Sequence, residues 1–511
     1  MPEHLRALVA ILALALAVFF VIRRPACATA ISCADFDRRR NLWLTITLIA
    51  FVSHNFWVCI AVTAIVLAYM APRDSNRIAL YLYVLLALPQ IGVAISGFGI
   101  INQLFVIDYT RLLAMVLLAP VALSLRIEEL KRGEQLTLPD KLLLAYVVLS
   151  LALQFLAISL TGSMRNALYA FIDILLPYYV VSRSLQSVER LRDAIMSFVV
   201  AAALMSAIGI FEFSRHWLLY SSLDSALGVE WAYGGYLERD DLLRVMATSG
   251  QPIVFGYVMA VAFGLLLYAK ELLPGALSIV AGQAVLLAGL VVSVSRGPWI
   301  GALAIVITYI ATGKRAFAKL GQLFAAGLLL VPLMYFTPSW DRIVGLLPFI
   351  GETDIGSVTY RERLLELSIQ IILENPFFGS ADFLLFLEEM RQGEGIIDIV
   401  NTYLMIALRS GLIGLALFLG FFGVIMVAIA RRMRLHPADS EAHRLGQALL
   451  AVLAGILVMI FTVSSINQVP VIYWAVAGLG YAYSRHGVPA SRTTILGYPS
   501  QKLPTTVVAN A

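Results

Sequence analysis

The chain has 511 residues, 60% of them hydrophobic and only 14% charged, with a formal net charge of +5. A soluble domain of average make-up carries about 25% charged residues, so a soluble globular fold is excluded. The basic residues sit in short loops between apolar runs and do not point to nucleic acid.

Apolar runs fall near 5–22, 41–53, 55–71, 78–96, 108–125, 141–160, 167–182, 192–211, 252–270, 276–294, 298–312, 316–336, 412–430, 446–464 and 469–484. They predict an all-α polytopic membrane protein with about 12–15 transmembrane helices and a large, partly helical periplasmic loop. The short alternating segments of a membrane β-barrel are missing. Leu5–Ile22, followed by Arg23 and Arg24, reads as an uncleaved first span rather than a signal peptide. The run 41–71 is either a hairpin turning at Ser53-His54-Asn55 or one long tilted helix. Cys27, Cys33 and Cys59 are irregularly spaced and indicate neither a disulfide framework nor a zinc site. No nucleotide-binding loop or HExxH metal motif occurs, so ATP hydrolysis by this chain is not expected.

Lysine and arginine set orientation. Arg73/Arg77, Arg126/Lys131/Arg132/Lys141, Arg183/Arg190/Arg192, Lys314/Arg315/Lys319 and Arg431/Arg432/Arg434 fall in alternate connections. Placing them in the cytoplasm, with Arg38–Arg40 beside them if 41–71 is a hairpin, leaves two long acidic loops outside. The divisions are then 1–211, N-terminal transmembrane helices; 212–251, a periplasmic loop; 252–336, central helices; 337–411, a large periplasmic loop with amphipathic helices; 412–485, C-terminal helices; and 486–511, a disordered cytoplasmic tail. Long connections with internal structure are usually functional, so the working face is expected outside.

Three of the arginines expected on that face stand in suggestive settings. Arg296, in "VSVSRGPWIGAL", lies between two charge-free runs. Gly297 lets the chain turn closely and Pro298 suits a first helical turn. Arg244 stands just before the span that opens at Pro252. Arg361 opens an amphipathic stretch in which Leu364, Leu365, Ile369 and Ile372 recur at helical spacing until Pro376. An arginine can simply snorkel to the interface or pair with a loop carboxylate. Three guanidiniums converging on one cavity would instead hold a multiply charged anion such as a lipid-linked diphosphate.

At these residues the sequence resembles the O-antigen ligase and O-antigen or exopolysaccharide polymerase superfamily of bacterial inner-membrane proteins. "VSVSRGPWIGAL" is similar to its Ser-Arg-Gly helix start, "YRERLLELSIQIILENPFFGS" to its arginine helix before Pro-x-x-Gly, and "NTYLMIALRSGLIGLALF" to its Asn-x-x-Leu…Gly-Leu-Ile-Gly segment. The resemblance covers about residues 240–430. It implies transfer of glycan from an undecaprenyl-diphosphate-linked oligosaccharide to an acceptor glycan hydroxyl at the periplasmic face, next to the lipid bilayer and with a possible chain-length regulator. Arg296 and Arg361 would be catalytic and Arg244 would bind substrate, the guanidiniums stabilising charge on the leaving diphosphate with no metal or other cofactor; Arg363, two residues from Arg361, is a further substrate-binding candidate.

Val400 stands where the family often has histidine, and Leu365 where tryptophan is common. The missing histidine tilts the reading toward a polymerase and away from a ligase. A carboxylate must then accept the proton: Asp398 first, with Glu394 beside it and His216 as an outside candidate. Asn401 and Tyr403 would bind sugar, or else cap the following helix and anchor it at the interface. Trp231, Tyr233 and Tyr236 suit stacking on sugar faces or packing of a loop. A flippase of lipid-linked oligosaccharide is the reading from another class, and the nearly charge-free spans oppose it.

Overall fold

The computed structural model describes residues 1–99, 102–157, 159–230, 235–239, 241–269, 276–335, 355–391 and 397–485. Trp231, Tyr233, Glu394 and the 486–511 tail lie outside them. Among the described residues, seven helices are long and apolar enough to cross a membrane, and four shorter apolar helices stand with them. The protein is an all-α polytopic membrane protein.

Helix α1 (Glu3–Thr29) is followed by α2 (Cys33–Val52) and α3 (Phe56–Met70). These two form a hairpin. His54 takes a left-handed φ of 48°, and the Asn55 side chain accepts from Trp57 and Val58 N–H, so the turn stops one helix and caps the next. The run 78–96 is not a span. Helix α4 (Arg77–Val84) ends before Pro89, and strand β1 (Val93–Ser96) pairs antiparallel with β2 (Gln103–Ile107). Proline removes a helical donor, and the β-branched residues after it favour strand. Hydropathy averaged over the run hides that change of period.

Helices α5 (Tyr109–Arg132), α6 (Leu138–Ala157), α7 (160–184) and α8 (Val188–Arg215) follow. Then come α9 (Pro252–Tyr268), α10 (Ala276–Val292), α11 (Arg296–Ala311) and α12 (Ala316–Tyr335). Helix α13 (Ile355–Glu374) precedes α14 (Thr402–Met433), α15 (Glu441–Met459) and α16 (Gln468–Arg485). Helix α8 is central, 83% of its apolar stretch being buried against 28% for α1. Nearly every residue of α9 is buried as well. Helix α11 packs along α15, α16 along the end of α7, and α14 along α6.

The basic loops meet at one end of the bundle. Arg39 is fully buried between Asp74 (2.7 Å) and Asp193 (2.6 Å). Arg183 bridges Glu129 and Asp140, both at 2.6 Å, Arg192 and Tyr268 share Glu441, and Lys314 reaches Asp439. A buried guanidinium is tolerable only when it is paired in this way. The chain direction of each helix then puts the ends of α8, α10 and α15 and the starts of α9, α11, α14 and α16 at the opposite end.

Helix α14 is broken. Gly411 has φ 65° and ψ −171°, dividing a short helix from the long apolar one. The segment Pro376–Ser380 closes the break with its backbone: Leu412 N–H donates to Pro376 O at 2.7 Å and Ser380 N–H to Leu408 O at 2.8 Å. Irregular backbone at a membrane boundary persists where protein satisfies it. Gly379, also left-handed at φ 69°, lies against Leu408 O, and a side chain on Gly411 would meet Phe377 backbone at 2.2 Å. The Pro-x-x-Gly and Arg-Ser-Gly stretches are therefore two halves of one joint.

Candidate functional site

The chain leaves α10 at Val292 and re-enters helix at Arg296. Val294 makes the turn with φ 47°, a conformation that is a steric outlier for a β-branched residue. Ser293 Oγ donates to Leu290 O at 2.6 Å, and Ser295 Oγ to Ser293 O at 3.0 Å. Arg296 is thus the first residue of α11, half-buried, where unpaired helix N–H groups and the macrodipole favour an anion. Pro298 occupies a position whose N–H would be unused.

Arg244 comes to the same turn, its Nη2 donating to Ser295 Oγ at 3.2 Å. It follows a two-residue ribbon in which Glu238 faces Leu243 and Arg239 faces Leu242. Arg239 Nη1 donates to Val294 O at 3.4 Å. The segment behind Arg244 is anchored by Glu212, a fully buried carboxylate at the end of α8. Glu212 accepts from Leu219 N–H and Ala247 N–H, both at 2.9 Å, and from Met246 N–H at 3.4 Å. Arg239, Arg244 and Arg296 therefore share one turn.

Arg361 is placed differently. Helix α13 is described from Ile355, so Arg361 lies six residues inside it and not at its start. The helix runs unbroken from Ile355 through Arg361, so the free N–H groups of a first turn are not beside it. Arg361 and Arg363 are both exposed, and Arg363 pairs with Glu389 (2.9 Å) and Glu366 (3.3 Å). One face of α13 buries Leu364, Ser368 and Ile371 against Phe383, Leu387 and Leu408, while Leu365, Ile369 and Leu373 remain exposed at helical spacing. This is the amphipathic pattern of a helix at a membrane surface.

The link from α13 to the arginine turn starts at Tyr360. Burial raises the pKa of its hydroxyl, which stays a donor, to Asp398 O at 3.2 Å; Asp398 N–H donates back at the same distance. Asp398 is exposed, and its Oδ1 accepts from Ser464 Oγ at 3.0 Å. Ser464 belongs to the turn between α15 and α16, "TVSSINQ" from Thr462 to Gln468. On one side this turn lies against Gly297, where a side chain would meet Thr462 Oγ1 at 2.4 Å. On the other, Ser465 Oγ lies 3.0 Å from Thr402 Oγ1, which also donates to Val463 O. Asn467 Nδ2 reaches Ser249 O at 2.8 Å and Gln468 Nε2 reaches Thr248 O at 3.3 Å, steadying the segment after Arg244.

Asn401 Oδ1 accepts from Tyr403 N–H (2.9 Å) and Leu404 N–H (3.2 Å), so its oxygen caps α14. Tyr403 donates its hydroxyl to Leu457 O at 2.6 Å and packs among Phe418 and Phe461, inside the bundle. His216 pairs with Glu238 at 2.9 Å and stacks on Tyr236. Among the described residues no cluster of three His, Cys, Asp or Glu side chains is arranged to hold a metal ion.

The structure thus brings Arg244 and Arg296 together and ties Asp398 to the same end of the bundle. It leaves Arg361 one residue from the connecting Tyr360. Sequence reasoning missed Arg239, Glu212 and the Thr462–Gln468 turn. A run of hydroxyls and carboxamides between two apolar runs was the available signal for the turn. Nothing local distinguished Arg239 or Glu212 from other loop charges.

Residues 281–419 match the family model described as O-antigen ligase, which bears out the resemblance over that segment. The match spans Arg296, Arg361, Arg363, Asp398, Asn401 and Tyr403, and Arg239 and Arg244 precede it. No curated protein matches the chain.

Proposed function

We propose that this membrane protein, carrying an O-antigen ligase segment, polymerises O-antigen or exopolysaccharide repeat units in the bacterial inner membrane. The donor is an undecaprenyl-diphosphate-linked oligosaccharide, the acceptor a sugar hydroxyl, and the working face periplasmic. The observation that carries this reading is the meeting of Arg239 and Arg244 at the turn from which Arg296 opens α11. Guanidiniums beside a helix N-terminus suit a diphosphate. The basic loops gathered at the opposite end support the orientation.

The acceptor oxygen attacks the anomeric carbon as the bond from that carbon to the diphosphate oxygen breaks. Asp398 takes the acceptor proton. The arginines offset the negative charge that grows on the departing diphosphate, an electrostatic role requiring only fixed donors. Exposed Arg361 would meet the carrier at the membrane surface.

Val400, in place of a histidine, favours polymerase over ligase. Purified full-length protein in nanodiscs, given carrier-linked repeat units, is expected to build polymer, and Arg296→Ala to leave single repeats. Absence of polymer, with transfer of a preformed chain to lipid A core instead, would make it a ligase. Movement of intact carrier without any new glycosidic bond would make it a flippase.

A further inference from the structure

A cavity of about 940 Å3 lies between α6, α7, the Phe378–Leu384 segment and the starts of α14 and α16. This is near the upper end of the ~300–1,000 Å3 range of ligand sites. Arg409 lines it and is exposed. Its guanidinium carbon lies 6.0 Å from the centre of the Phe383 ring, and the group also feels Tyr146 across the cavity. Among the described residues no carboxylate comes within ion-pair distance of it. Arg409 stands just before the Gly411 break, where a guanidinium at the membrane boundary can face a polar cavity.

The walls combine three chemistries. Asn166 Nδ2 donates to Gln154 Oε1 at 2.7 Å, which leaves Gln154 Nε2 and Asn166 Oδ1 available. Tyr146, Tyr473 and Trp474 supply aromatic surface. Asp382 adds an exposed carboxylate, while Asp173 is already paired with Arg111 at 2.9 Å. One guanidinium facing two carboxylates is a poor seat for a diphosphate. Donors, acceptors and ring faces together fit a sugar, whose hydroxyls both give and accept hydrogen bonds and whose C–H faces lie on aromatic rings.

The cavity also shares a wall with the proposed reaction centre. Thr402 and Ser465 line it and lie 3.0 Å apart. The neighbouring Ser464 holds Asp398, and Thr462 of the same turn touches Gly297 beside Arg296. One turn thus has Gly297, the neighbour of Arg296, at Thr462 and the cavity at Ser465, with Asp398 bonded to Ser464 between them.

We propose that this cavity is the acceptor-saccharide site, with Arg409 and Asp382 binding sugar hydroxyls and the Thr402–Ser465 wall presenting one hydroxyl to Asp398. This assignment rests on the polymerase reading above.

The test uses full-length protein in nanodiscs and two probes: short oligosaccharides released by mild acid from the source cell's surface polysaccharide, and inorganic pyrophosphate. Binding is followed calorimetrically. Arg409→Ala is expected to weaken oligosaccharide binding at least about tenfold, the loss of roughly one charge-assisted hydrogen bond, and to leave pyrophosphate within twofold. Ser150→Phe, which fills the cavity without altering Arg409, should do the same and serves if the arginine variant fails to fold. Arg296→Gln should show the reverse pattern. Unchanged oligosaccharide binding in both cavity variants, or no oligosaccharide binding by the unaltered chain, overturns the acceptor site while leaving the arginine turn standing. Pyrophosphate lost in Arg409→Ala but kept in Arg296→Gln makes the cavity the anion site and overturns the assignment. Saccharide binding that depends on Arg409, with pyrophosphate indifferent to Arg296, sustains the cavity and removes the proposed phosphate grip.

Discussion

Ser464 Oγ donates to Asp398 Oδ1 at 3.0 Å across 66 positions of sequence. The bond fixes an otherwise exposed carboxylate at the turn that also meets Gly297. If Asp398 is the base, Asp398→Asn should lower turnover by about 10²–10⁴-fold, the usual range for a lost general base. Pyrophosphate binding should not change. Ser464→Ala, which only frees the carboxylate, should cost less. Single-turnover assays on carrier-linked repeats measure both, and full activity in Asp398→Asn would remove the residue from the mechanism.

The arginines should separate by environment. Arg296→Gln, Arg244→Gln and Arg239→Gln remove groups gathered at one turn and should each reduce turnover, Arg296 by about 10²–10³-fold if it stabilises the leaving group. Arg363 is exposed and held in pairs with Glu389 and Glu366. Exposed ion pairs contribute little, so Arg363→Ala should change turnover by less than about twofold. A large loss there would assign Arg363 to the substrate.

Glu212 should matter without touching substrate. Glu212→Ala strands three N–H groups, those of Leu219, Met246 and Ala247. A buried unsatisfied donor costs about 1–3 kcal/mol, so Tm should fall, and Arg244, two residues from Met246, should lose its position. Glu212→Gln keeps an accepting oxygen and should recover part of the stability. Thermal unfolding in detergent reads the difference; equal Tm values for the unaltered chain and the alanine variant would contradict this role.

Gly411 and Gly379 form the joint between α14 and the Pro376–Ser380 segment. Alanine at either position must hold a positive φ, a strain of about 1–3 kcal/mol, and drives a methyl into neighbouring backbone, that of Phe377 or Leu408. Both variants should yield little folded protein, measured as the monodisperse fraction on size-exclusion chromatography.

Much of the architecture is local and was legible in the residues. Apolar runs mark most helices because transfer into lipid is summed over about 20 consecutive residues. Asn55 and Asn401 cap helices because a side-chain oxygen reaches N–H groups two or three residues on. The run 78–96 misled because its hydropathy conceals the helix-to-strand change at Pro89.

The third member of the arginine cluster could not be read that way. Arg361 has the more suggestive setting in sequence, yet Arg239 is the residue that reaches Val294, because the ribbon at Glu238–Leu243 folds back over the turn. By itself the sequence determined a membrane-embedded helical bundle with arginine and carboxylate on one face, since hydropathy, charge and capping act within a few residues of each other. Only the tertiary structure decided which of those charges meet, that Thr462–Gln468 joins them, and that Arg409 faces a cavity. Those contacts span tens to hundreds of positions, and their partners are selected by how helices pack, which no local pattern encodes.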